Sequence, residues 1–273
     1  MRKLYTLLLV FTGLFFTACE DVVDLDLPTA PPRLVVEASF NWMKTFTGHY
    51  QEVRLTTTAG FYDTDVPIVS GATVYVTNSK NDVFEFSEEK SGFQGIYACI
   101  NFNPEIGETY TLFVEVNGET FTATETLMPV PQLEEVILTN EGFDPNDMSL
   151  KAYFLDPPET NYYLREIGRE GYSGGVAIFD DRFVNGNYTY TITIFDDLKP
   201  GDEITTFLYG ISSRHFDYMS KLLSIVDEEN VTNPFRTPSI NVRGNIVNQT
   251  NPDNYALGYF RLSEGSFITY TVE

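Results

Sequence analysis

Between Arg33 and Thr126 apolar and polar residues alternate with period two in seven short runs, each bounded by turn-forming residues. A two-residue period puts every second side chain on one face of an extended chain, so such runs are strands that each bury one face. The runs are Leu34 to Ala38, Glu52 to Thr58, Ala72 to Thr77, Val83 to Phe86, Ile96 to Cys99, Tyr110 to Val116 and Glu119 to Thr124. Asn117-Gly118 separates the last two, and both residues tolerate the positive φ of a type I′ turn, so these two runs should form a hairpin. Seven short strands in this span predict an immunoglobulin-like or prealbumin-like sandwich over 33–128. An aromatic content of 15% agrees with strands rather than helices.

Met128-Pro129-Val130-Pro131 reads as a domain boundary, because two prolines in alternate positions cannot sit in a central strand and they stiffen an extended link. The alternation resumes at Leu133 to Thr139, Ser149 to Leu155 and Asn161 to Ile167. A second pair, Asn185-Gly186, lies between Arg182-Phe183-Val184 and Tyr188 to Ile194 and predicts another hairpin. After Glu203 to Ile211 comes one helical stretch, Ser213 to Glu228, with Ser213 as its cap. Its stripe of Phe216, Met219, Leu222, Leu223 and Val226 predicts core contact. The expected fold is therefore all-β, with two β-sandwich-like domains (33–128 and 132–273) and one short helix, near 213–228, in the second.

The N-terminus carries a different kind of signal. Met1-Arg2-Lys3 is positive, Leu4 to Phe16 is almost entirely apolar, and Thr17-Ala18 are small, the order of a cleaved export leader over 1–18. Cys19 follows at the point where the apolar character stops, where its thiol would take up diacylglycerol. Two or three acyl chains on Cys19 would anchor the protein stably, since one chain binds only marginally. Residues 19–32 then read as a lipidated acidic tether in which Glu20 and Asp21 serve either as a spacer or as a surface-export signal.

The formal charge of −22 repels phosphate backbones and excludes nucleic acid as a partner. With two cysteines, one of them Cys19, a disulfide-stapled fold is excluded as well, and Cys99 reads as a small buried hydrophobe. Gly171-Tyr172-Ser173-Gly174-Gly175 has the form of a nucleophile elbow, but Val176 to Asp180 after it reads as a strand where that motif needs a helix. The two histidines, His49 and His215, lie in a loop of one domain and a helix of the other. They predict neither a catalytic triad nor a zinc site. The acidic pairs Asp180-Asp181 and Asp196-Asp197 and the run Asp227-Glu228-Glu229 lack the spacing of a calcium loop and read as solvated turns. No cofactor and no metal is expected. Phe40 to Tyr50 holds the sole tryptophan, and Trp42 with Phe46 could form an aromatic interaction loop; the plainer reading packs Trp42 at the end of a strand.

Taken in order, several pieces of the chain resemble one family. They are the Cys19 region with Asp24-Leu-Asp-Leu-Pro28, then Leu34-Val-Val-Glu37, Val53-Arg-Leu-Thr-Thr57 and Ser70-Gly-Ala-Thr-Val74. Gly107-Glu-Thr-Tyr-Thr-Leu112, Met128-Pro-Val-Pro131, Phe154-Leu-Asp-Pro157 before Asn161-Tyr-Tyr163, Asn233-Pro-Phe235 and Ala256-Leu-Gly-Tyr-Phe260 continue the series. The chain is similar to the Bacteroidota outer-membrane lipoproteins known as domain of unknown function 4249. That family has no assigned catalytic residues. The resemblance implies a non-enzymatic protein anchored at the outer membrane through Cys19, facing the cell exterior, and working as a ligand-capture or gating subunit beside a TonB-dependent transporter. A surface scaffold or adhesin, and a hydrolase using Ser173, remain the alternatives.

Overall fold

The structure is a computed structural model that describes residues 30–60, 63–89, 95–140, 147–172, 175–226 and 242–273. The expected leader, Cys19, Glu20, Asp21, Ser173, the run 227–229 and Asn233-Pro-Phe235 lie outside the described residues. The strands are β1 (Leu34–Met43), β2 (Gln51–Thr57), β3 (Thr73–Asn78), β4 (Val83–Glu88), β5 (Ile96–Cys99), β6 (Thr109–Val116), β7 (Glu119–Thr126) and β8 (Leu133–Thr139). They continue with β9 (Met148–Leu155), β10 (Tyr162–Gly168), β11 (Ala177–Asp180), β12 (Tyr188–Phe195), β13 (Glu203–Ile211), β14 (Val247–Asn248) and β15 (Leu257–Thr271), with the helix α1 (Ser213–Val226) after β13. The fold is all-β with sandwich-like sheets, as the alternation predicts.

One 12-stranded sheet runs in the order β11-β10-β13-β15-β1-β2-β5-β4-β3-β6-β7-β14. It folds over on itself at β4, which pairs with β5 through Ser87 and Glu88 and with β3 through Val83 to Phe86. The fold encloses a core in which Phe40 stacks on Phe86 at 5.4 Å and meets Phe102 and Phe260 edge-on at 5.2 and 5.3 Å. At its rim the Tyr110 hydroxyl donates to the Asn103 carbonyl (2.8 Å) and accepts the Glu105 N–H (3.0 Å). Tyr110 thus pins the chain that enters β6, much as a tyrosine corner does in immunoglobulin-like sandwiches. The β6–β7 hairpin forms as expected, with φ of 53° at Asn117 and 78° at Gly118.

A second sheet, β12-β9-β8, covers one face of β10, β13 and β15. Phe154 and Ala152 from β9 pack there against Tyr163 and Leu208. Asp156, just beyond β9, is buried and accepts the Tyr163 hydroxyl at 2.5 Å and the Gly186 N–H at 3.0 Å. Burial pushes the Asp156 carboxyl up, while its two donors pull the other way. The Phe154 to Pro157 and Asn161 to Tyr163 pieces are thereby one structural unit: an acceptor and its donor.

The expected division into two domains at 128–131 is not confirmed. Residues Pro32–Glu273 form one compact unit. The 128–131 segment is bound along β15: Glu264 N–H donates to the Met128 carbonyl (2.8 Å), and Glu264 Oε2 accepts the Val130 N–H (2.9 Å). The reason lies in β15, a single 15-residue strand. Its first part runs parallel to β1, from Val35↔Leu257 to Met43↔Gly265, and its second part antiparallel to β13. Gly258, at φ +91°, lets this strand lie against β1, for a Cβ there would stand 2.0 Å from the Val36 carbonyl oxygen.

Two local expectations also change. Asn185-Gly186 does not close a hairpin: residues 181–187 form turns, β11 pairs with β10, and β12 pairs with β9. The helix cap is Ser212, not Ser213; its hydroxyl accepts the His215 N–H at 3.1 Å and its carbonyl the Phe216 N–H at 2.9 Å. Within α1, Phe216 and Met219 pack on the sheet as the stripe predicts.

Candidate interaction surface

The structure separates the two aromatic residues singled out in the β1–β2 loop. Trp42 lies on β1, half-buried against the core, and its Nε1–H donates to the Phe46 carbonyl at 2.9 Å. Trp42 therefore holds the loop in shape from within. Phe46 is 63% exposed and stacks on Phe267 of β15 at 6.5 Å.

Phe46 is the outer end of a row of rings. On β13 the side chains of Ile204 and Leu208 point into the sandwich, which leaves Phe207 and Tyr209 on the opposite face. Phe207 stands directly across from Phe267 in the strand register, with ring centroids 6.0 Å apart, and Phe207 stacks on Tyr209 at 6.3 Å. Burial, and then the nearby Glu166 carboxylate, push the Tyr209 hydroxyl up to about 12, so it stays protonated. The loop is tied to β15 by the Lys44 N–H to the Gly265 carbonyl (3.0 Å) and by the Lys44–Glu264 ion pair (2.8 Å). Phe207 and Phe267 were missed in the sequence, although Phe207 falls on the outward phase of an alternating run.

Beside the row, α1 covers a buried polar cluster. Glu125 of β7 accepts the Tyr259 hydroxyl (2.8 Å) and the Ser212 hydroxyl (3.1 Å), and Arg214 approaches the same oxygen at 3.8 Å. His215 packs edge-on against Tyr259 at 4.5 Å, and its Nδ1 has no hydrogen-bond partner. Arg261, fully buried behind them, donates to Ser263 (2.9 Å) and lies 5.1 Å from the Tyr209 ring. Burial, with Arg261 adding to it, pushes the His215 imidazole down to about 3. The cluster joins β7, β15 and α1 and holds the sheet under the aromatic row in place.

The remaining candidates are scattered. Gly171 to Gly175 connects the antiparallel pair β10 and β11, so a strand follows it where an elbow needs a helix. His215 is buried on α1 and His49 is exposed in the β1–β2 loop. Asp180 is held by Arg182 (2.8 Å), Asp197 by Arg169 (2.6 Å), and buried Asp181 accepts the Asn161 N–H (2.6 Å). Among the described residues no three His, Cys, Asp or Glu side chains are grouped as metal ligands are. Cys99 is buried, and burial pushes its thiol up, away from the reactive thiolate. A shallow groove of about 690 Å³ over β3 and β4 is lined by Thr73, Tyr75, Val83 and Glu85. These offer no nucleophile paired with a base.

Comparison with known proteins adds the following. No curated protein matches the chain. Similar solved structures include a cytokine receptor complex (9% identity, TM-score 0.26, 64% of this chain and 82% of that one). A DUF4785 family protein from Legionella pneumophila is 12% identical, with a TM-score of 0.26 over 64% of this chain and 51% of that one. Bovine butyrophilin is 10% identical, with a TM-score of 0.22 over 66% and 92%. Residues 20–266 match the family described as Domain of unknown function (DUF4249), which is nearly the whole length. The chain belongs to the DUF4249 family.

Proposed function

We propose that this protein is a lipid-anchored binding module of the outer membrane, facing the cell exterior and serving a TonB-dependent transporter as a ligand-capture or gating subunit. Cys19 carries the anchor, Glu20 and Asp21 direct display, and the work is non-enzymatic. The observation that supports this reading best is the aromatic row ending in exposed Phe46. Aromatic side chains held rigidly on a sheet give large contact area at little entropic cost and are enriched at the centres of protein interfaces. The acidic surface would steer a partner without fixing it, because charge attraction fades as the Debye length falls from ~10 Å at 0.1 M salt to ~3 Å at 1 M.

Extraction of the intact lipoprotein with mild detergent, from cells that also make the neighbouring transporter, tests the reading. The barrel should co-purify and stay bound at about 0.5 M salt, beyond ordinary surface screening. Phe46→Ala should weaken that association and leave thermal stability unchanged. Recovery of the protein alone would contradict the partnership. Equal retention by Phe46→Ala would move the contact elsewhere on the molecule.

A further inference from the structure

Arg33 and Arg243 cover the two faces of one tyrosine. Each guanidinium carbon stands 3.7 Å from the centroid of the Tyr255 ring. At that height one ring face has room for a single guanidinium, so the two cations lie on opposite sides. All three residues are set in fixed backbone. Arg33, directly before β1, donates its N–H to the Thr58 hydroxyl (3.0 Å) and accepts the Thr58 N–H at its carbonyl (2.9 Å). Arg243 lies two residues before Asn245, whose buried side chain bonds both the carbonyl and the N–H of Phe260 at 2.8 Å. Tyr255 leads into β15. Arg33 Nη1 also reaches the Asp253 and Tyr255 carbonyls, each at 3.4 Å.

This pair of positive charges sits in a chain whose formal charge is −22. The other arginines among the described residues are neutralised or enclosed. Arg54, Arg169, Arg182 and Arg214 each approach a carboxylate at 3.8 Å or less, and Arg165 and Arg261 are buried. No carboxylate among the described residues, Asp253 included, forms an ion pair with half-buried Arg33 or exposed Arg243. Two like charges held around one ring repel each other, and an anion beside them relieves that repulsion. Stacking occupies the flat face of a guanidinium and leaves the N–H donors on its edge, the fork that fits a phosphate through two parallel bonds.

We propose that Arg33 and Arg243 form a seat for the phosphate of a membrane lipid headgroup, which fixes how the folded unit stands on the membrane. The course of the chain selects this ligand. Residues 19–32 join the expected anchor, Cys19, to Arg33, and even fully extended their 14 residues hold Arg33 within about 50 Å of the lipid. The entry end of β1 is therefore the part of the unit kept nearest the headgroups. Repulsion from the acidic remainder is screened over ~8 Å at 0.15 M salt, so the end in contact decides the orientation. β1 runs 10 residues from this end, about 30 Å, to the Phe46 loop. Seating Arg33 turns the aromatic row away from the membrane, toward a partner that stands above the surface. The seat rests on the lipid anchor proposed above, and the test supplies that anchor chemically so that the two can fail separately.

Residues 19–273, made without lipid, are coupled through the Cys19 thiol to a maleimide-bearing diacylglycerol; Cys99 is buried and spared. One set of vesicles is phosphatidylcholine with phosphatidic acid, and the other is digalactosyldiacylglycerol, which contains no phosphate. Both carry a dansylated diacylglycerol. Trp42, the sole tryptophan, lies at the far end of β1, so energy transfer from it to dansyl separates seated molecules from freely turning ones in time-resolved emission. On the phosphate-bearing vesicles Arg33→Gln and Arg243→Gln should each lower the ratio of seated to turning molecules about fivefold, the share of one arginine at a headgroup surface. The wild-type chain on galactolipid should turn as freely as the double variant. Arg243→Gln, at an exposed position, carries the test should Arg33→Gln disturb β1. Equal ratios for the wild type and folded Arg243→Gln, or for the wild type on the two kinds of vesicle, would overturn the proposal. Shifts of the Arg33 and Arg243 Nε–H resonances with inorganic phosphate, without seating on either vesicle, would also overturn it by assigning the pair to free phosphate.

Discussion

His215 should make this protein sensitive to mild acid, and the size of the effect follows from its surroundings. The imidazole is buried under α1, with Tyr259 and Tyr218 against it and Arg261 behind it, and its Nδ1 has no partner. Glu125 is engaged by Tyr259 and Ser212, and Arg214 brings a further positive charge to that carboxylate. The folded state therefore holds His215 neutral down to about pH 3, while in the unfolded chain it titrates near 6.5. Above pH 6.5 both states are neutral and the site is not penalised. As the pH falls below 6.5 the unfolded state takes up a proton that the folded state refuses, so stability drops by up to ~1.4 kcal/mol per pH unit until the folded value is reached. Between pH 6.5 and 4.5 that amounts to about 2–3 kcal/mol from one residue. Urea titrations of a soluble form of residues 20–273 at half-unit pH steps measure it, with His215→Leu as the reference. The other titrating groups contribute equally to both proteins, so the difference in slope isolates the imidazole. Parallel stability curves for the two proteins between pH 6.5 and 4.5 would refute the reasoning, because they would mean that His215 accepts its proton without opening the cluster.

Three further outcomes follow from the packing. Gly258→Ala should cost more than about 3 kcal/mol or prevent folding, since the new methyl would meet the Val36 carbonyl and φ is +91°; the urea midpoint reports it. Tyr163→Phe leaves the buried Asp156 carboxylate with the Gly186 N–H alone and should cost ~1–3 kcal/mol, again read from the urea midpoint. Trp42→Ala should lower thermal stability while Phe46→Ala should not, because Trp42 packs on the core and Phe46 faces solvent.

The strands were legible because a period of two survives any tertiary arrangement, and most runs reappear within a residue or two of their expected ends. Beyond the β6–β7 hairpin, pairing was not legible, for it depends on residues far apart. Asn185-Gly186 looks like Asn117-Gly118, yet Gly186 gives its N–H to Asp156, thirty residues earlier, and β12 joins β9 rather than its predecessor. Period two also does not say which set of side chains faces inward. On β12 it is threonine, because buried Arg165 needs oxygen acceptors at Ile192 and Thr193. The prolines at 129 and 131 suggested a stiff link between two domains, but an extended segment without regular pairing is also what fits beside β15 when Glu264 supplies the acceptor. Of the expected interaction loop, Phe46 is exposed while Trp42 packs on the core, and the strand residues that complete the Phe46 row come from across the sheet.

Under the proposed function, this folded unit is displayed on the cell exterior by lipid on Cys19. Labelled palmitate incorporation combined with protease treatment of intact cells tests both halves at once. The wild-type chain should carry label, fractionate with the outer membrane and be cleaved on whole cells. Cys19→Ala should lose the label and leave the membrane, and replacement of Glu20 and Asp21 by alanine should keep the label but lose protease access. Membrane retention of unlabelled Cys19→Ala under high salt, or a labelled wild-type chain that protease reaches only after the cells are broken, would contradict the account.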